Sequence, residues 1–137
     1  MRLAIVDGQG GGIGKAIAEK LSKEFVKGLE IIALGTNSTA TTGMMKAGAS
    51  AGATGENAIK VMSHEVDFIM GPIAILIKDA MMGEITSVMT EAISTSPAIK
   101  ILIPLNRCNI LVPGTGDLKL NDLIDLSIAE IKKKITA

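Results

Sequence analysis

The feature that most constrains the fold of this chain is a run of glycines directly after a short apolar segment. Leu3–Val6 is apolar throughout, and Asp7 separates it from five glycines within the seven positions 8–14. A short apolar run closed by glycine is typical of a strand buried on both faces of a parallel sheet. Glycine permits sharp turns and close approach to the backbone, so the segment predicts a strand, a turn and a helix start.

The residues after the turn predict an amphipathic helix and a second strand. From Gly12 onward, apolar residues recur every four positions, at Ile13, Ile17 and Leu21. This period is typical of a helix that buries one face. Leu29–Leu34 is a second apolar run, ended by Gly35. The opening segment therefore predicts a right-handed βαβ unit with parallel strands.

The rest of the chain continues to alternate between helical and strand patterns. Helices are predicted over Thr39–Lys46, from about Gly55 to His64 with Thr54 as N-cap, over Ile85–Ile93 and from Leu120 onward. Strands are predicted at Val66–Met70 and Lys100–Pro104, with a short edge strand at Ile110–Val112. Gly48–Ala53 fits a loop or a very short strand, and Ile73–Ile77 fits either a strand or a helix. We therefore predict a single domain, 1–137, with a Rossmann-like three-layer α/β/α sandwich and a mostly parallel sheet of about five strands.

The composition narrows the class of protein and its partners. Apolar residues make up 47% and charged residues 20% of the chain, and the formal net charge is zero. This balance predicts a globular protein and indicates neither nucleic acid nor an anionic membrane as a partner. The apolar run before Asp7 is too short for a signal peptide or a membrane span, and we expect a cytoplasmic protein. The methionine-rich, apolar composition favours a homo-oligomer.

The absence of tyrosine limits the chemistry. The chain has no Tyr, no Trp and two Phe, so mechanisms that need a tyrosine acid or base are excluded. The single cysteine, Cys108, excludes an internal disulfide. No group of His, Cys and acidic residues has the spacing of metal ligands, so we expect no metal site.

The glycine spacing favours a dinucleotide-type turn. Ile13 stands where the spacing G-x-G-x-x-G needs its third glycine, and Ala16 stands where a P-loop needs a hydroxyl. The spacing G-x-x-x-G-x-G, found in short-chain dehydrogenases, fits Gly8, Gly12 and Gly14. The turn therefore predicts an anion at a helix N-terminus, with NAD or NADP as candidate cofactors. The alternative is a glycine turn that binds no ligand.

Ligands of open α/β sheets bind outside the carboxyl ends of the strands, where several polar clusters should meet. Thr36 and Asn37 follow the second strand, in place of the acidic residue of an NAD site. Arg107 could hold a phosphate with its forked guanidinium, or form a surface ion pair with Asp79 or Asp117. The candidate binding residues are Gly8, Gln9, Gly10, Gly11, Gly12, Ile13, Gly14, Thr36, Asn37, Gly71, Pro72, Asn106 and Arg107.

Three other residues have alternative interpretations. Asp7 would repel an anion, and it either caps the N–H groups of its own turn or serves a metal or catalytic role. Cys108 fits buried packing better than a reactive thiol, although Arg107 is its neighbour. His64 fits a solvated position near a helix end.

Several motifs together resemble an uncharacterised bacterial family that is catalogued as a domain of unknown function. They are Asp7-Gly8-Gln9-Gly10-Gly11-Gly12-Ile13-Gly14-Lys15, Ala33-Leu34-Gly35-Thr36-Asn37, Gly52-Ala53-Thr54-Gly55-Glu56-Asn57, Gly71-Pro72-Ile73 and Ile103-Pro104-Leu105-Asn106-Arg107-Cys108-Asn109. The resemblance covers nearly the whole chain and implies a Rossmann-like bacterial protein without an assigned activity. The first forty or so residues also resemble short-chain dehydrogenases. Their Tyr-x-x-x-Lys pair is absent here, so their activity is not carried over.

Three functions fit the sequence. The first is a module, such as a sensor, that binds a nucleotide or other phosphorylated small molecule. The second is a small enzyme acting on a phosphorylated metabolite with some of Asp7, Lys15, Arg107 and Cys108. The third is a structural or oligomerising subunit that keeps a vestigial glycine turn.

Overall fold

The computed structural model describes residues 1–25, 27–105 and 109–136, which form an α/β fold. The strands are β1 (Arg2–Asp7), β2 (Glu30–Gly35), β3 (Ala51–Thr54), β4 (Phe68–Pro72) and β5 (Ile99–Ile103). The helices are α1 (Gly12–Glu24), α2 (Ser38–Ala47), α3 (Glu56–Met62), α4 (Ser87–Thr95) and α5 (Leu120–Thr136). A 3-10 helix, Ile73–Leu76, follows β4 directly.

The five strands form one parallel sheet in the order β3-β2-β1-β4-β5. In the register of the central strand, Ile5 lies opposite Ala33 of β2 and Met70 of β4. The chain builds outward from β1 to β3 on one side and then crosses to β4 on the other. The strand order therefore reverses between β1 and β4, which is where open α/β sheets form a crevice.

Two apolar clusters cover the two faces of the sheet. Alternate β1 residues point to opposite faces, as the strand geometry requires. Leu3 and Ile5 pack with α1, α2 and α5, whereas Ala4 and Val6 pack with α3, α4 and the 3-10 helix. The β1 side chains from Leu3 to Val6 are fully buried. This arrangement confirms the predicted three-layer sandwich and its parallel sheet.

Two segments with alternative predictions each adopt one of them, whereas one predicted edge strand does not form. Gly48–Ala53, which fitted a loop or a strand, ends in β3, and Ile73–Ile77 contains the 3-10 helix. The edge strand at Ile110–Val112 was wrong, since the carbonyl of Val112 instead accepts the N–H of Thr115 in a turn.

The N-cap prediction for Thr54 was also wrong. Gly55 takes the N-cap position of α3 with φ +103°, without a side-chain hydrogen bond. The Thr54 hydroxyl lies 2.7 Å from that of Thr41 on α2. Thr54 is thus the last residue of β3 and ties that strand to α2.

Candidate functional site

A cleft of about 590 Å³ opens at the carboxyl edge of the sheet, between the ends of β1 and β4. The glycine turn forms one wall, and the segment after β4 forms the other. The lining residues are Asp7, Gly8, Gln9, Gly12, Ile13, Pro72, Ala74, Met81, Met82 and Leu120. The cleft therefore lies where the strand order reverses, and Gly8, Gln9, Gly12 and Ile13 of the predicted glycine motif line it.

Asp7 caps the turn and the start of α1. Its Oδ1 accepts the N–H of Gly8 at 2.8 Å, and its Oδ2 accepts the N–H of Gly14 at 2.7 Å. The side chain is buried, with 3% of its surface exposed. A carboxylate at a helix N-terminus also interacts favourably with the helix dipole. The capping interpretation of Asp7 therefore matches these two contacts.

Several of the glycines are required by packing inside the protein. A Cβ on Gly11, where φ is +70°, would lie 2.9 Å from Cα of Ala40 on α2. A Cβ on Gly14 would lie 2.5 Å from Sδ of Met44, and one on Gly71 would overlap the carbonyl oxygen of Val6. These glycines let helix, strand and turn approach closely, whether or not a ligand is present.

No contact inside the protein requires a glycine at position 10 or position 12. A Cβ on either residue would meet nothing within 4 Å, and neither has a positive φ. In the first turn of α1, the N–H groups of Gly12 and Ile13 make no hydrogen bond within the described part of the chain. Gly12 also lines the cleft. The turn thus presents unpaired donors beside open space.

Glu84 joins the glycine turn to the residues that follow β2. Its Oε1 accepts the hydroxyl of Thr36 at 2.6 Å, Nδ2 of Asn37 at 2.8 Å and the N–H of Gln9 at 2.9 Å. Asn37 also donates from Nδ2 to the Gln9 carbonyl at 2.9 Å and accepts the N–H of Ala40 as the N-cap of α2. The predicted residues Gln9, Thr36 and Asn37 are therefore brought together around one carboxylate.

These donors lower the pKa of Glu84 below its usual value. The Thr36 hydroxyl has the largest effect, the Gln9 N–H adds to it, and Asn37 contributes less. Partial burial raises the pKa but is outweighed. Hydrogen bonds to the charged form favour ionisation. The site therefore holds a fixed negative charge at the end of β2.

The segment that carries Glu84 has a strained backbone. Met81 and Met82 adopt φ values of +58° and +56°, and Gly83 adopts +92°. Non-glycine residues rarely occupy this region, which costs roughly 1–2 kcal/mol each. Met81 and Met82 both line the cleft, and Met82 is 96% exposed. Backbone hydrogen bonds from the N–H of Gly83 to the carbonyl of Asp79 and from the N–H of Glu84 to the carbonyl of Met81 close this turn.

The remaining predicted residues lie elsewhere. Lys15 runs along Gly43 of α2, in a shallow groove outside the cleft wall. His64 is exposed in the turn after α3, at the amino-terminal edge of the sheet. The predictions for Asn106, Arg107 and Cys108 fall outside the described residues.

Sequence reasoning missed the cleft-lining residues Ala74, Met81, Met82 and Leu120. It also missed Glu84. Glu84 lies 75 residues from Gln9 and belongs to no motif with a known spacing. The available signal was its position in the connection after β4, because such connections meet at the carboxyl edge. Lys78 and Asp79 occupy the same connection. Position alone therefore could not single out Glu84.

A second groove of about 610 Å³ lies between α1 and α5. Its charged side chains include two interhelical ion pairs, Lys20 with Asp125 at 2.5 Å and Lys132 with Glu24 at 2.6 Å. These contacts join the two helices across the groove. Its charges thus serve helix packing, and we place the candidate site in the cleft.

The described residues contain neither a membrane-spanning helix nor a metal-binding cluster. No helix there is both long and apolar enough to cross a membrane. No group of three or more His, Cys, Asp or Glu side chains in residues 1–25, 27–105 and 109–136 could hold a metal ion.

The fold and the site define a Rossmann-like α/β domain with a cleft at the strand-order reversal. The chain belongs to the family described as Domain of unknown function (DUF3842), whose model matches residues 2–136. No curated protein matches the sequence. One similar solved structure is a dodecameric FMN-dependent UbiX-like decarboxylase from Escherichia coli O157:H7. It is 11% identical with a TM-score of 0.45, and the match covers 100% of this chain and 96% of that one.

Proposed function

We propose that this protein binds a nucleotide or another phosphorylated small molecule in the cleft between the ends of β1 and β4. The observation that carries the proposal is the location of a 590 Å³ cleft at the reversal of strand order. Ligands of open α/β sheets bind at this point, and small-molecule sites typically have volumes of roughly 300–1,000 Å³. NAD and NADP remain the candidate dinucleotides.

The start of α1 supports a phosphate in this cleft. The N–H groups of Gly12 and Ile13 belong to the positive end of the helix, where anions are favoured. A Cβ on Gly12 would project into open space, so its absence leaves room for an incoming oxygen. The Gln9 N–H already donates to Glu84. We therefore place the phosphate at Gly12 and Ile13.

The opposite wall supports an apolar part of the same ligand. Pro72 and Ala74 line the cleft on this side together with Met81 and Met82. Methionine adapts to irregular shapes and contacts aromatic rings favourably. A nucleotide base, which is flat and aromatic, fits a wall of this kind. The two walls thus suit a ligand with an anionic end and an apolar end.

The experiment is a thermal-shift screen followed by calorimetry on one glycine variant. The probes are NAD, NADP, FMN, AMP, phosphorylated sugars and inorganic phosphate. Gly12→Val should fold normally and lose the binding shown by the wild type, because the side chain fills the approach to the two amides. Gly116→Val is the matched control, since a Cβ there also meets nothing within 4 Å. Undiminished binding by folded Gly12→Val would refute the proposed site.

Self-association is a separate proposal, based on the apolar, methionine-rich composition. Sedimentation velocity would test it, and a monomer at micromolar concentration would contradict it.

A further inference from the structure

We infer that Glu84 makes the site selective for ligands with an unmodified ribose, by accepting a ribose hydroxyl at the end of β2. The inference rests on the proposed function and specifies its ligand class. It assigns a specificity role to a residue outside the glycine motif.

The first step is the position of the carboxylate. Dinucleotide sites of this fold place an acidic side chain near the end of the second strand, where it binds the ribose hydroxyls. Here the residues after β2 are Thr36 and Asn37, which carry no charge. Glu84 reaches them from the connection after β4, with Oε1 within 2.8 Å of both side chains. The fold thus supplies the missing acid from a different strand connection.

The second step is the free acceptor. Three donors converge on Oε1 of Glu84, from Gln9, Thr36 and Asn37. The other oxygen, Oε2, accepts no hydrogen bond from the residues that the structure describes. Glu84 is only partly buried, so solvent reaches this region. A carboxylate oxygen that is fixed in place and unpaired can accept a donated hydroxyl with little loss of side-chain entropy.

The third step is charge. An ionised carboxylate accepts hydrogen bonds and donates none, so it discriminates between a hydroxyl and a group without a proton to give. It also repels a second anion at short range. On a ribose bound by Glu84, a 2′-phosphate would bring a second anion against this carboxylate. We therefore expect NAD to bind more tightly than NADP, and AMP more tightly than 2′-deoxy-AMP.

The experiment is a calorimetric titration of the wild type with these four compounds. Each pair differs only at the ribose 2′ position. A hydrogen bond to a charged group corresponds to roughly a tenfold or larger change in affinity. The expected result is at least about tenfold tighter binding of NAD than NADP and of AMP than 2′-deoxy-AMP.

Two variants assign the preference to Glu84. Glu84→Gln removes the charge while keeping the shape, and it should reduce the NAD preference to less than about threefold. Glu91→Gln changes an exposed glutamate on α4 in the same way and should keep the wild-type preference. If Glu84→Gln fails to fold, equal affinity within the wild-type pairs still overturns the inference, and Glu84→Asp, which keeps the charge but shortens the side chain, should lose most of the preference.

The outcomes separate this inference from the proposed function. Equal affinity within both wild-type pairs overturns the ribose role of Glu84 and leaves nucleotide binding intact. An unchanged preference in folded Glu84→Gln also overturns it. If none of the four compounds binds, the inference fails, and Gly12-dependent binding of other phosphorylated compounds then still supports the proposed function. If no probe in the screen binds, both fail.

Discussion

The N–H of Gly14 donates to Oδ2 of Asp7 at 2.7 Å, so a residue at the end of β1 caps the helix that follows it. The same carboxylate accepts the N–H of Gly8 through its other oxygen. The glycine turn is thus closed by its own first residue, and its shape does not depend on a bound ligand.

Asp7→Asn should destabilise the protein by about 1.5–3 kcal/mol, because an amide offers one oxygen where two buried N–H groups need acceptors. Urea unfolding monitored by circular dichroism measures this change. Asp122→Asn is the control, since Asp122 caps α5 from an exposed position by accepting the Lys119 N–H at 3.0 Å. Exposed caps contribute typically about 1 kcal/mol. Equal losses in the two variants would contradict the buried capping role of Asp7.

Two glycines of α1 should respond oppositely to alanine. Gly12→Ala should leave the protein as stable or raise the free energy of unfolding by up to about 1 kcal/mol, since alanine favours helices and the new Cβ meets nothing. Gly14→Ala should lower it by about 1–3 kcal/mol, because the new Cβ presses on Met44 and Asp7. Paired urea titrations test both values. A destabilised Gly12→Ala would show that Gly12 has a structural role.

The strained turn before Glu84 offers a stabilising substitution. Met82→Gly should raise the free energy of unfolding by about 0.5–1 kcal/mol, because glycine accepts the φ of +56° without steric strain. The lost side chain is almost fully exposed. Gly83→Ala should have the opposite sign, since φ is +92° there. Thermal unfolding of both variants checks the signs, and a loss of stability in Met82→Gly would refute the strain argument.

The lowered pKa of Glu84 predicts how its contribution varies with pH. The unfolded chain has the usual pKa of 4.5 and binds a proton more readily than the folded protein. The stabilisation is therefore complete above that value and is lost as pH falls through the lower folded-state pKa. We expect the stability difference between wild type and Glu84→Gln to be constant over roughly pH 6–8 and to shrink below about pH 4.5. Urea titrations across this range, with Glu91→Gln in parallel, would contradict the assignment if the difference grew on acidification.

The absence of tyrosine predicts an absence of short-chain dehydrogenase activity. The chain has no Tyr to act as the acid of that chemistry. We expect no oxidation or reduction of nicotinamide cofactors with common alcohols or ketones. Absorbance of the reduced nicotinamide measures this directly, and robust turnover would show that another residue supplies the proton.

The sheet could be predicted because its strands are apolar on both faces. The runs around Ile5 and Ile32 have no polar side to place in water, so only a sandwiched parallel sheet accommodates them. The sequence of β3, Ala51–Thr54, carries no comparable signal. It forms a strand because Ala51 pairs with Ile32 of β2, a tertiary contact that local pattern does not encode.

The glycine turn, whose residues are close together in the sequence, could be predicted as part of the site. Gly8 and Gly12 are close in sequence and mark the turn by spacing alone. Glu84 reaches Gln9 only because the chain crosses from β3 to β4 and returns its next connection to the centre of the sheet. Met81 and Met82, in the same connection, adopt a left-handed backbone conformation that is unfavourable for residues other than glycine. Their sequence therefore gives no signal of this turn.

The hydrogen bonds that Asp7 and Glu84 accept from the glycine turn therefore become possible at different stages of synthesis. The bonds from the N–H groups of Gly8 and Gly14 to Asp7 span one and seven residues, so both partners have been synthesised once α1 leaves the ribosome. The bond from Gln9 to Glu84 spans 75 residues and requires β4 to be in place beside β1. The partners that close the glycine turn onto Asp7 are thus synthesised well before the residues of the second cleft wall. A ligand that needs both walls of the cleft can therefore assist folding only after β4 and the segment that follows it have packed beside β1.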